Sequence, residues 1–406
     1  MLKKVLIKNF LSFKFKGAEV EFNSITALIG RNAAGKTNIF RTIDWFSQFA
    51  VGNVLLDEYN EYLVDPYSLI PTPTLYNIEF LINDSLFKYE VNINNGDDLI
   101  SENLSFFKSD KWEVIARRKN DQGFFYTEKS RFSSLLSNKS GKKAINFGLS
   151  SQSSIIYSIS SLLPKKVLTS EFNDVLSYLS EIKCYTLENL YNPPCNGHSH
   201  IISHNEYKQW EKGGGDNTSV VMRLLDLWHK DKETLQELQD IVGIVGLNLI
   251  KLIYINQNNY SEQSNHDFFY VVNFGISDFG KPSIVVNYNQ LSYGTQRVLM
   301  ILLALLYDKS STLLIEQPED GIHIGLLRKV LSICFTYAEV YNKQLIISTH
   351  SPEVMNMFQP ENIRFVKMTE HGTKVSCLDK ERLPFVHEYI ENEGALSDFI
   401  EAMDDE

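Results

Sequence analysis

The chain has 406 residues, of which 43% are hydrophobic, 22% charged and 12% aromatic, and its formal net charge is −11 at pH 7. This length allows a large buried core and two or three domains. The acidic balance argues against a protein that binds nucleic acid over its whole surface. The longest apolar run, Val298 to Leu306, is too short to span a bilayer. With no apolar signal-peptide core and four scattered cysteines, the sequence predicts a cytoplasmic protein.

The first hundred residues predict strands followed by one helix. "KVLIKNF" and "AEVEF" indicate two short strands, and "ITALI" (25–29) indicates a buried one. A helix is predicted from Lys36, because apolar residues recur at helical spacing at Ile39, Ile43, Phe46 and Phe49. The alternating segments "LYNIEFLIN" and "LFKYEVNI" indicate a β-hairpin.

The second half predicts a helical pair, three strands and an alternating α/β region. "TSVVMRLLDLWHK" and "ETLQELQDIVGIV" have amphipathic helical patterns, and "KLIYIN", "FFYVVNF" and "SIVVN" have strand patterns. The final third predicts, in order, a helix, strand, helix, strand and strand: 296–307, 312–315, 324–340, 345–347 and 363–367. This alternation favours an α/β fold with a mainly parallel sheet and crossover helices.

The most distinctive motifs of the sequence lie near both ends of the chain, which predicts one main domain with an insertion. The predicted parts are an N-terminal part of this domain (1–100), an inserted helical lobe (101–280) and a C-terminal part (281–406). Residues 101–170 carry twelve Lys/Arg against five acids, whereas the last nineteen residues carry eight acids and no Lys or Arg. One interpretation is that both charged segments are solvated surface. The alternative is that the basic segment contacts DNA or a partner and that the acidic segment is a docking tail.

The segment "GRNAAGKT" (30–37) follows a predicted strand and opens a predicted helix. In this context the pattern is a phosphate-binding loop, whose glycines let successive N–H groups converge on phosphate oxygens. Lys36 is predicted to neutralise the β- and γ-phosphates of ATP, and Thr37 to bind Mg²⁺. The predicted nucleotide-binding residues of this loop are Gly30, Arg31, Asn32, Ala33, Ala34, Gly35, Lys36, Thr37 and Asn38.

Four segments in order resemble the ABC-type ATPase superfamily, in the branch that contains SMC, RecF and OLD heads. They are "IKNFLSF" leading to the phosphate loop, "LSYGTQR" (291–297), "LLIEQPEDGIH" (313–323) and "LIISTHSPEV" (345–354). The resemblance implies an α/β P-loop ATPase head with a mainly parallel core sheet, an antiparallel β subdomain and an inserted helical lobe. It also implies ATP and Mg²⁺ as cofactors and a head-to-head dimer around ATP.

Three further residues receive roles from this resemblance. Ser292 and Gly294 are similar to the signature residues that contact the γ-phosphate of ATP bound to a second subunit. Both precede a long apolar helix, whose N-terminus suits an anion. His350 is similar to the switch histidine that senses the γ-phosphate in its own subunit. No glutamine of the family's Q-loop is assigned.

The segment "LLIEQPEDGIH" departs from the family pattern at the residue that activates the attacking water. Glu316 stands where the magnesium-binding acid belongs, and Gln317 stands where the family usually has a catalytic Glu. An amide cannot accept a proton at neutral pH, although it can orient water. Glu319 is a candidate to assist through a bridging water. The sequence therefore favours slow hydrolysis, with ordinary turnover by another base and a non-hydrolysing regulator as alternatives.

"CNGHSHIISH" places Cys195, His198, His200 and His204 at spacings that suit zinc. The preceding Pro/Gly turn and the lack of a CxxC pair favour a polar loop instead.

Three functions remain open, since no segment predicts a nuclease domain or a coiled coil. By resemblance, the leading one is the sensor ATPase of a bacterial anti-phage system with a separately encoded effector, such as a nuclease. The second is a RecF-like DNA-repair clamp that grips duplex DNA through residues 101–170. The third is a nucleotide-gated oligomeric scaffold. No membrane partner is predicted.

Overall fold

The computed structural model describes residues 1–56, 73–94, 99–127, 143–150, 152–186, 201–213, 219–259, 268–276 and 284–404. The chain forms two compact units, and each is assembled from segments that are distant in sequence. Unit 1 comprises Met1–Cys184, Ser310–Glu316 and Lys343–Glu406. Unit 2 comprises Tyr185–Lys309 and Gln317–Asn342. The predicted domain boundaries near residues 100 and 280 stay a prediction.

The strands are numbered along the chain. They are β1 (Leu2–Lys8), β2 (Ala18–Glu21), β3 (Ile25–Ile29), β4 (Thr74–Ile82), β5 (Ser85–Asn94), β6 (Leu99–Lys108), β7 (Lys111–Lys119), β8 (Gln122–Thr127), β9 (Lys143–Gly148), β10 (Lys183–Tyr185), β11 (Ile201–Ser203), β12 (Leu252–Asn259), β13 (Phe268–Ile276), β14 (Ile284–Val286), β15 (Thr312–Glu316), β16 (Gln344–Thr349), β17 (Ile363–Thr369) and β18 (Gly372–Ser376).

The α-helices are numbered in the same way. They are α1 (Lys36–Val51), α2 (Ile155–Leu162), α3 (Ser170–Glu181), α4 (His204–Glu211), α5 (Val220–Lys230), α6 (Lys232–Val242), α7 (Tyr293–Leu306), α8 (Ile324–Val340), α9 (Pro352–Met355), α10 (Leu383–Asn392) and α11 (Leu396–Asp404). None of these helices combines the length and apolar character that a bilayer crossing requires.

Unit 1 contains two sheets. Among the described residues, the first is antiparallel with the order β2-β1-β4-β5-β6-β7-β8-β9, and the second has the order β10-β15-β16-β3-β17-β18. In the second sheet, β15, β16, β3 and β17 are parallel neighbours. The carboxyl ends of these strands share one edge, which is where open α/β sheets bind ligands.

Helix α1 joins the two sheets of unit 1 through a common apolar core. Its Ile39 and Phe40 are fully buried in the same cluster as Leu28, Leu314 and Ile346 of the parallel sheet. Side chains of this size each contribute about 1.5–3 kcal/mol when buried. The helical spacing of the apolar residues therefore fixes the face of α1 that packs on the sheet.

A buried ion pair lies inside unit 1, in the segment that is rich in Lys and Arg. Arg118 Nη1 lies 3.1 Å from Glu102 Oε1, and both side chains are at most 1% exposed. Arg118 also donates to the carbonyl oxygens of Ser150 (3.0 Å) and Ser153 (2.5 Å). Because Arg118 is buried and bonded to these two carbonyl oxygens, its side chain is not available to DNA. Exposed basic residues of the same strands are Lys108, Lys111, Arg117 and Lys119.

Unit 2 combines a small antiparallel sheet, in which β13 pairs with β11, β12 and β14, with helices α4 to α8. The fully buried guanidinium of Arg223 lies 5.6 Å from the Tyr185 ring and 5.8 Å from the Tyr307 ring. Its Nη2 atom is 3.3 Å from Asp308 Oδ1. Two aromatic rings and one carboxylate thus compensate this buried charge.

The predicted α/β class, the mainly parallel core sheet and the antiparallel sheet are confirmed. The predicted hairpin is β4–β5, with Asn83 (φ 46°) and Asp84 (φ 61°) as its turn, a conformation that Asn and Asp adopt readily. Helix α7 begins three residues before its predicted start at 296, and β15 includes Glu316 as its last residue.

Candidate functional site

The loop between β3 and α1 turns tightly and contains residues in the left-handed region of backbone conformation. Ala33 (φ 61°) and Gly35 (φ 107°) adopt left-handed conformations. A Cβ atom on Gly30 would lie 2.1 Å from the carbonyl oxygen of Val366, and one on Gly35 would lie 2.2 Å from Thr373 Oγ1. Both positions exclude larger residues, since such contacts are far closer than van der Waals distance.

Lys36 opens α1 beneath this loop and is 5% exposed. Its Nζ atom donates to the carbonyl oxygens of Gly30 (2.5 Å) and Arg31 (3.0 Å). The residue that precedes the helix, Gly35, provides no side-chain cap, and the first turn contains no acid. The N-terminus of α1 and the charge of Lys36 therefore have the character that suits an anion.

Thr37 and Glu316 are brought together from opposite ends of the sequence. The Thr37 hydroxyl donates a hydrogen bond to Glu316 Oε1. Glu316 is 5% exposed at the carboxyl end of β15. By donating its proton, the hydroxyl keeps its oxygen lone pairs for a cation. A hydroxyl and a carboxylate are hard oxygen ligands, which Mg²⁺ prefers, so the two residues fit that ion.

Two residues to which the sequence motifs gave no role, Ser12 and Thr373, brace the loop. Asn38 Nδ2 donates to Ser12 Oγ (2.8 Å), and Ser12 Oγ lies 2.7 Å from Thr373 Oγ1. Thr373 in turn donates to the carbonyl oxygen of Ala34 (3.2 Å). This chain of hydrogen bonds fixes the loop to β18. The one signal for it is the "SF" of "IKNFLSF", which precedes the loop in sequence.

His350 follows β16 and is exposed. It lines a cavity of about 900 Å³ together with loop residues Gly30, Arg31 and Asn32 and with Met355. The structure therefore places the predicted switch histidine beside the phosphate loop, within the same unit.

The predicted signature segment lies in unit 2, where Ser292 caps α7. The Ser292 hydroxyl accepts a hydrogen bond from Thr295 N (3.2 Å) and is exposed. A Cβ atom on Gly294 would lie 2.5 Å from the carbonyl oxygen of Gly321. Gly294 therefore has a packing role within unit 2, since only glycine permits this approach to the turn after β15.

Gln317 and Glu319 also lie in unit 2, in the turn that follows β15. Gln317 has a φ of 41°, an uncommon value for a residue other than glycine. Its carbonyl oxygen accepts from Arg297 Nη2 (2.6 Å) and from Asp320 N (3.1 Å). The Tyr293 hydroxyl donates to Asp320 Oδ2 (3.1 Å), and Glu319 is half-buried. Helix α7 thus holds this turn in a strained conformation.

The predicted site residues are divided between the two units. Unit 1 contains residues 30–38, Glu316 and His350, which the structure brings to one edge of the parallel sheet. Unit 2 contains Ser292, Gly294, Gln317 and Glu319. The catalytic and binding roles of all these residues stay predictions.

Three members of the predicted zinc cluster, Cys195, His198 and His200, lie outside the described residues. His204 Nδ1 lies 3.2 Å from the hydroxyl of Tyr270. Among the residues that the structure describes, no three His, Cys, Asp or Glu side chains form a metal-binding group.

A sequence model of the family described as "AAA domain, putative AbiEii toxin, Type IV TA system" matches residues 25–178 and 197–356. These segments make up more than three quarters of the chain. A comparison with curated proteins finds no match.

Solved structures of SMC heads are similar to this chain. An Smc head bound to the C-winged helix domain of ScpA has a TM-score of 0.53 at 11% identity, covering 95% of this chain and 99% of that one. The SMC head domain from Thermotoga maritima has a TM-score of 0.42 at 12% identity, covering 93% and 99%. The Smc head from Pyrococcus furiosus bound to the C-terminal domain of ScpA has a TM-score of 0.46 at 14% identity, covering 96% and 99%.

At these identities the structural likeness concerns the fold alone, and only the first score is high enough to support it. The family match is independent of that likeness and spans both the phosphate loop and the segment that contains Glu316 and His350. The chain therefore belongs to this family of AAA ATPases, and its fold is that of an ABC-type, SMC-like ATPase head.

Proposed function

We propose that the protein binds ATP with Mg²⁺ in unit 1 and hydrolyses it slowly. The observation that carries this proposal is the hydrogen bond from Thr37 to Glu316 beside the uncapped N-terminus of α1. Lys36 and the first N–H groups of the helix hold the phosphates, and Thr37 and Glu316 hold the cation. Bound Mg²⁺ supplies charge neutralisation at the β- and γ-phosphates.

Slow hydrolysis follows from the residue after Glu316. Gln317 can orient a water molecule through its amide but cannot take its proton. His350, beside the loop, senses the γ-phosphate in this proposal, and Glu319 assists through a water molecule. The long-lived ATP state then keeps two copies of the chain joined head to head.

The proposed dimer uses the N-terminus of α7. Its capping residue Ser292 is exposed, and the helix is 14 residues long, so its positive end is open to an anion outside the unit. In this proposal Ser292 and the backbone of Gly294 contact the γ-phosphate of ATP held by a second copy.

We further propose that this dimer is the cytoplasmic sensor ATPase of a bacterial anti-phage defence system. The family description, which names an AbiEii toxin and a type IV toxin–antitoxin system, supports this role. A separately encoded effector, such as a nuclease, is the proposed partner. The solved Smc head bound to a domain of ScpA supports the general idea that a head of this fold docks a second protein.

One observation favours a second function, DNA binding by a RecF-like repair ATPase. Strands β6 and β7 expose Lys108, Lys111, Arg117 and Lys119, and Trp112 beside them is 39% exposed. Basic side chains near an exposed aromatic ring suit the backbone and bases of nucleic acid. A nucleotide-gated scaffold needs no such surface.

The test compares the wild type with Lys36→Ala and Glu316→Gln by ATP titration calorimetry and light scattering. Lys36→Ala is expected to lose ATP binding, and Glu316→Gln to lose the magnesium dependence of binding. Of these three proteins, only the wild type is expected to double in mass with ATP and Mg²⁺. The matched control is Lys165→Ala, which removes an exposed lysine of unit 1 and leaves binding unchanged. Equal ATP binding by the wild type and Lys36→Ala would contradict the proposal.

The same proteins distinguish the two biological roles. A repair ATPase binds duplex DNA with an affinity that falls steeply as salt rises, because counterions are released at each phosphate contact. The sensor forms a stable complex with a neighbouring gene product in the absence of DNA.

A further inference from the structure

Ser348 is a buried residue of β16 that pairs with Glu316, a residue of the proposed magnesium site. Ser348 is 0% exposed, and its Oγ atom has no hydrogen-bond partner among the described residues. Buried polar groups in native proteins are almost always hydrogen-bonded, because an unmet hydrogen bond destabilises the folded state. A buried hydroxyl that is kept without a partner therefore points to a ligand.

The sheet register shows which way this hydroxyl faces. Ser348 is the next-to-last residue of β16, and it is directly paired with Glu316 on one side and with Leu28 on the other. Paired residues of parallel strands project from the same face of the sheet, as do residues two apart on one strand. Ile346 and Leu314, two residues earlier on the two strands, share a buried cluster with Leu28 and α1. Ser348 and Glu316 thus face α1.

This is also the face on which Thr37, at the start of α1, donates to Glu316. The three oxygen-bearing side chains of Thr37, Glu316 and Ser348 therefore lie on one side of the sheet at its carboxyl edge. Two of them are already joined by a hydrogen bond, and the third still has its proton to donate.

Other buried hydroxyls of the same sheet do have partners in the protein. Thr26 Oγ1 accepts from Asn23 N (2.9 Å), and Thr349 Oγ1 accepts from Ser351 N (3.0 Å). The unmet hydrogen bond is therefore a property of Ser348 and not of buried hydroxyls in this sheet generally.

We infer that Ser348 is a positioning residue of the nucleotide site, and that its hydroxyl donates to an oxygen brought in by the bound magnesium nucleotide. This inference rests on the proposed function. Such an acceptor is either a phosphate oxygen or a water molecule on the cation, and both offer the lone pairs that the hydroxyl lacks within the protein. Ser348 then aligns the ligand against Glu316 without taking part in bond making or breaking.

The experiment compares wild type, Ser348→Ala and the control Ser47→Ala. Ser47 is 1% exposed, and its hydroxyl already donates to the carbonyl oxygen of Ile43 (2.7 Å) on α1. The measurements are thermal unfolding without nucleotide, the Kd for ATP with Mg²⁺ by calorimetry, and single-turnover hydrolysis. Ser348→Cys, which keeps the size of the side chain but is a weak donor, gives a second test if the alanine variant does not fold.

Ser348→Ala is expected to unfold at the same temperature as the wild type or higher, because it removes an unmet polar group. Its affinity for ATP with Mg²⁺ is expected to fall about tenfold, which corresponds to the loss of one hydrogen bond. Its single-turnover rate of hydrolysis is expected to fall by at least the same factor. Ser47→Ala is expected to leave both the affinity for ATP and the rate of hydrolysis unchanged. Ser348→Cys should fall between the wild type and Ser348→Ala.

Two results separate the possible failures. If the wild type binds and hydrolyses ATP but Ser348→Ala keeps its affinity and rate, or loses stability in parallel with activity, the inference is wrong and the proposed function stands. If the wild type neither binds nor hydrolyses ATP, both are wrong.

Discussion

The guanidinium of Arg297 donates to the main-chain carbonyl of Gln317 across 2.6 Å, and both residues belong to unit 2. Arg297 is fully buried in α7, five residues after the cap Ser292, and burial lowers the pKa of its guanidinium. Gln317 is the residue whose φ of 41° is uncommon outside glycine. A movement of α7 would therefore be transmitted to the backbone immediately after Glu316.

Replacing Arg297 with Met is expected to destabilise the protein by about 1–3 kcal/mol, because the Gln317 carbonyl loses a hydrogen bond from a charged donor. The measurement is the free energy of unfolding in urea. Arg328→Met, which removes an exposed arginine of α8, is the control and should change it by less than about 0.5 kcal/mol. Equal stability of the two variants would show that the Arg297 contact contributes little.

Changing Gln317 to Glu is expected to raise the single-turnover rate of ATP hydrolysis at least about tenfold, because a carboxylate can accept the proton of the attacking water. The ATP-induced dimer should dissociate sooner, which light scattering follows over time. Gln317→Asn keeps an amide and serves as the control without a base. Brisk hydrolysis by the wild type with no gain in Gln317→Glu would place the base elsewhere.

Changing Gly294 to Ala is expected to abolish ATP-induced dimerisation while ATP binding to the monomer persists. The added Cβ would lie 2.5 Å from the carbonyl oxygen of Gly321, so the turn must shift. Overpacking of this kind costs about 1–3 kcal/mol of stability. Gly148→Ala, which meets no atom within 4 Å, is the control. Both effects are read from light scattering with ATP and from thermal unfolding.

Changing Asp44 to Asn is expected to stabilise the protein at neutral pH but not in acid. Burial raises the pKa of Asp44 above its usual 3.8, although a hydrogen bond with Gln48 and the charge of Lys183 oppose this. The folded protein therefore binds a proton that the unfolded chain has released, and its stability falls as pH rises above 3.8. The amide of the Asp44→Asn variant carries no charge at any of these pH values, so the variant avoids this loss.

The gain at pH 7 is expected to be small, since Asp44 is only half-buried. Thermal unfolding between pH 3 and pH 7 measures it. Asp121→Asn, at an exposed position, is the control. If the difference in stability between Asp44→Asn and the wild type does not grow as the pH rises, the raised pKa of Asp44 is refuted.

Much of the phosphate site could be predicted because its determinants are local. Gly35, Lys36 and Thr37 are consecutive, and the strand before them and the helix after them have clear periodicity. The likeness to an ABC-type head also assigned roles at this site to Glu316 and His350, and both residues lie in the same unit as the loop. Their roles stay predictions.

What could not be predicted depends on contacts that are distant in sequence. Ser12 and Thr373 are 361 residues apart, and no local pattern shows that their hydroxyls meet. Strands β6 and β7 were missed because buried Glu102 and Arg118 interrupt the alternation of apolar and polar residues. The φ of Gln317 likewise depends on tertiary contacts and is not encoded by the preference of glutamine.

The pairing of β3 has a consequence for synthesis on the ribosome. The strand that leads into the phosphate loop has β16 and β17 as its parallel neighbours, and both come from residues after 343. Such distant pairing cannot form until residues 344–369 have emerged. A nascent chain therefore carries the loop sequence long before the two strands that flank β3 are available to hold the loop in place.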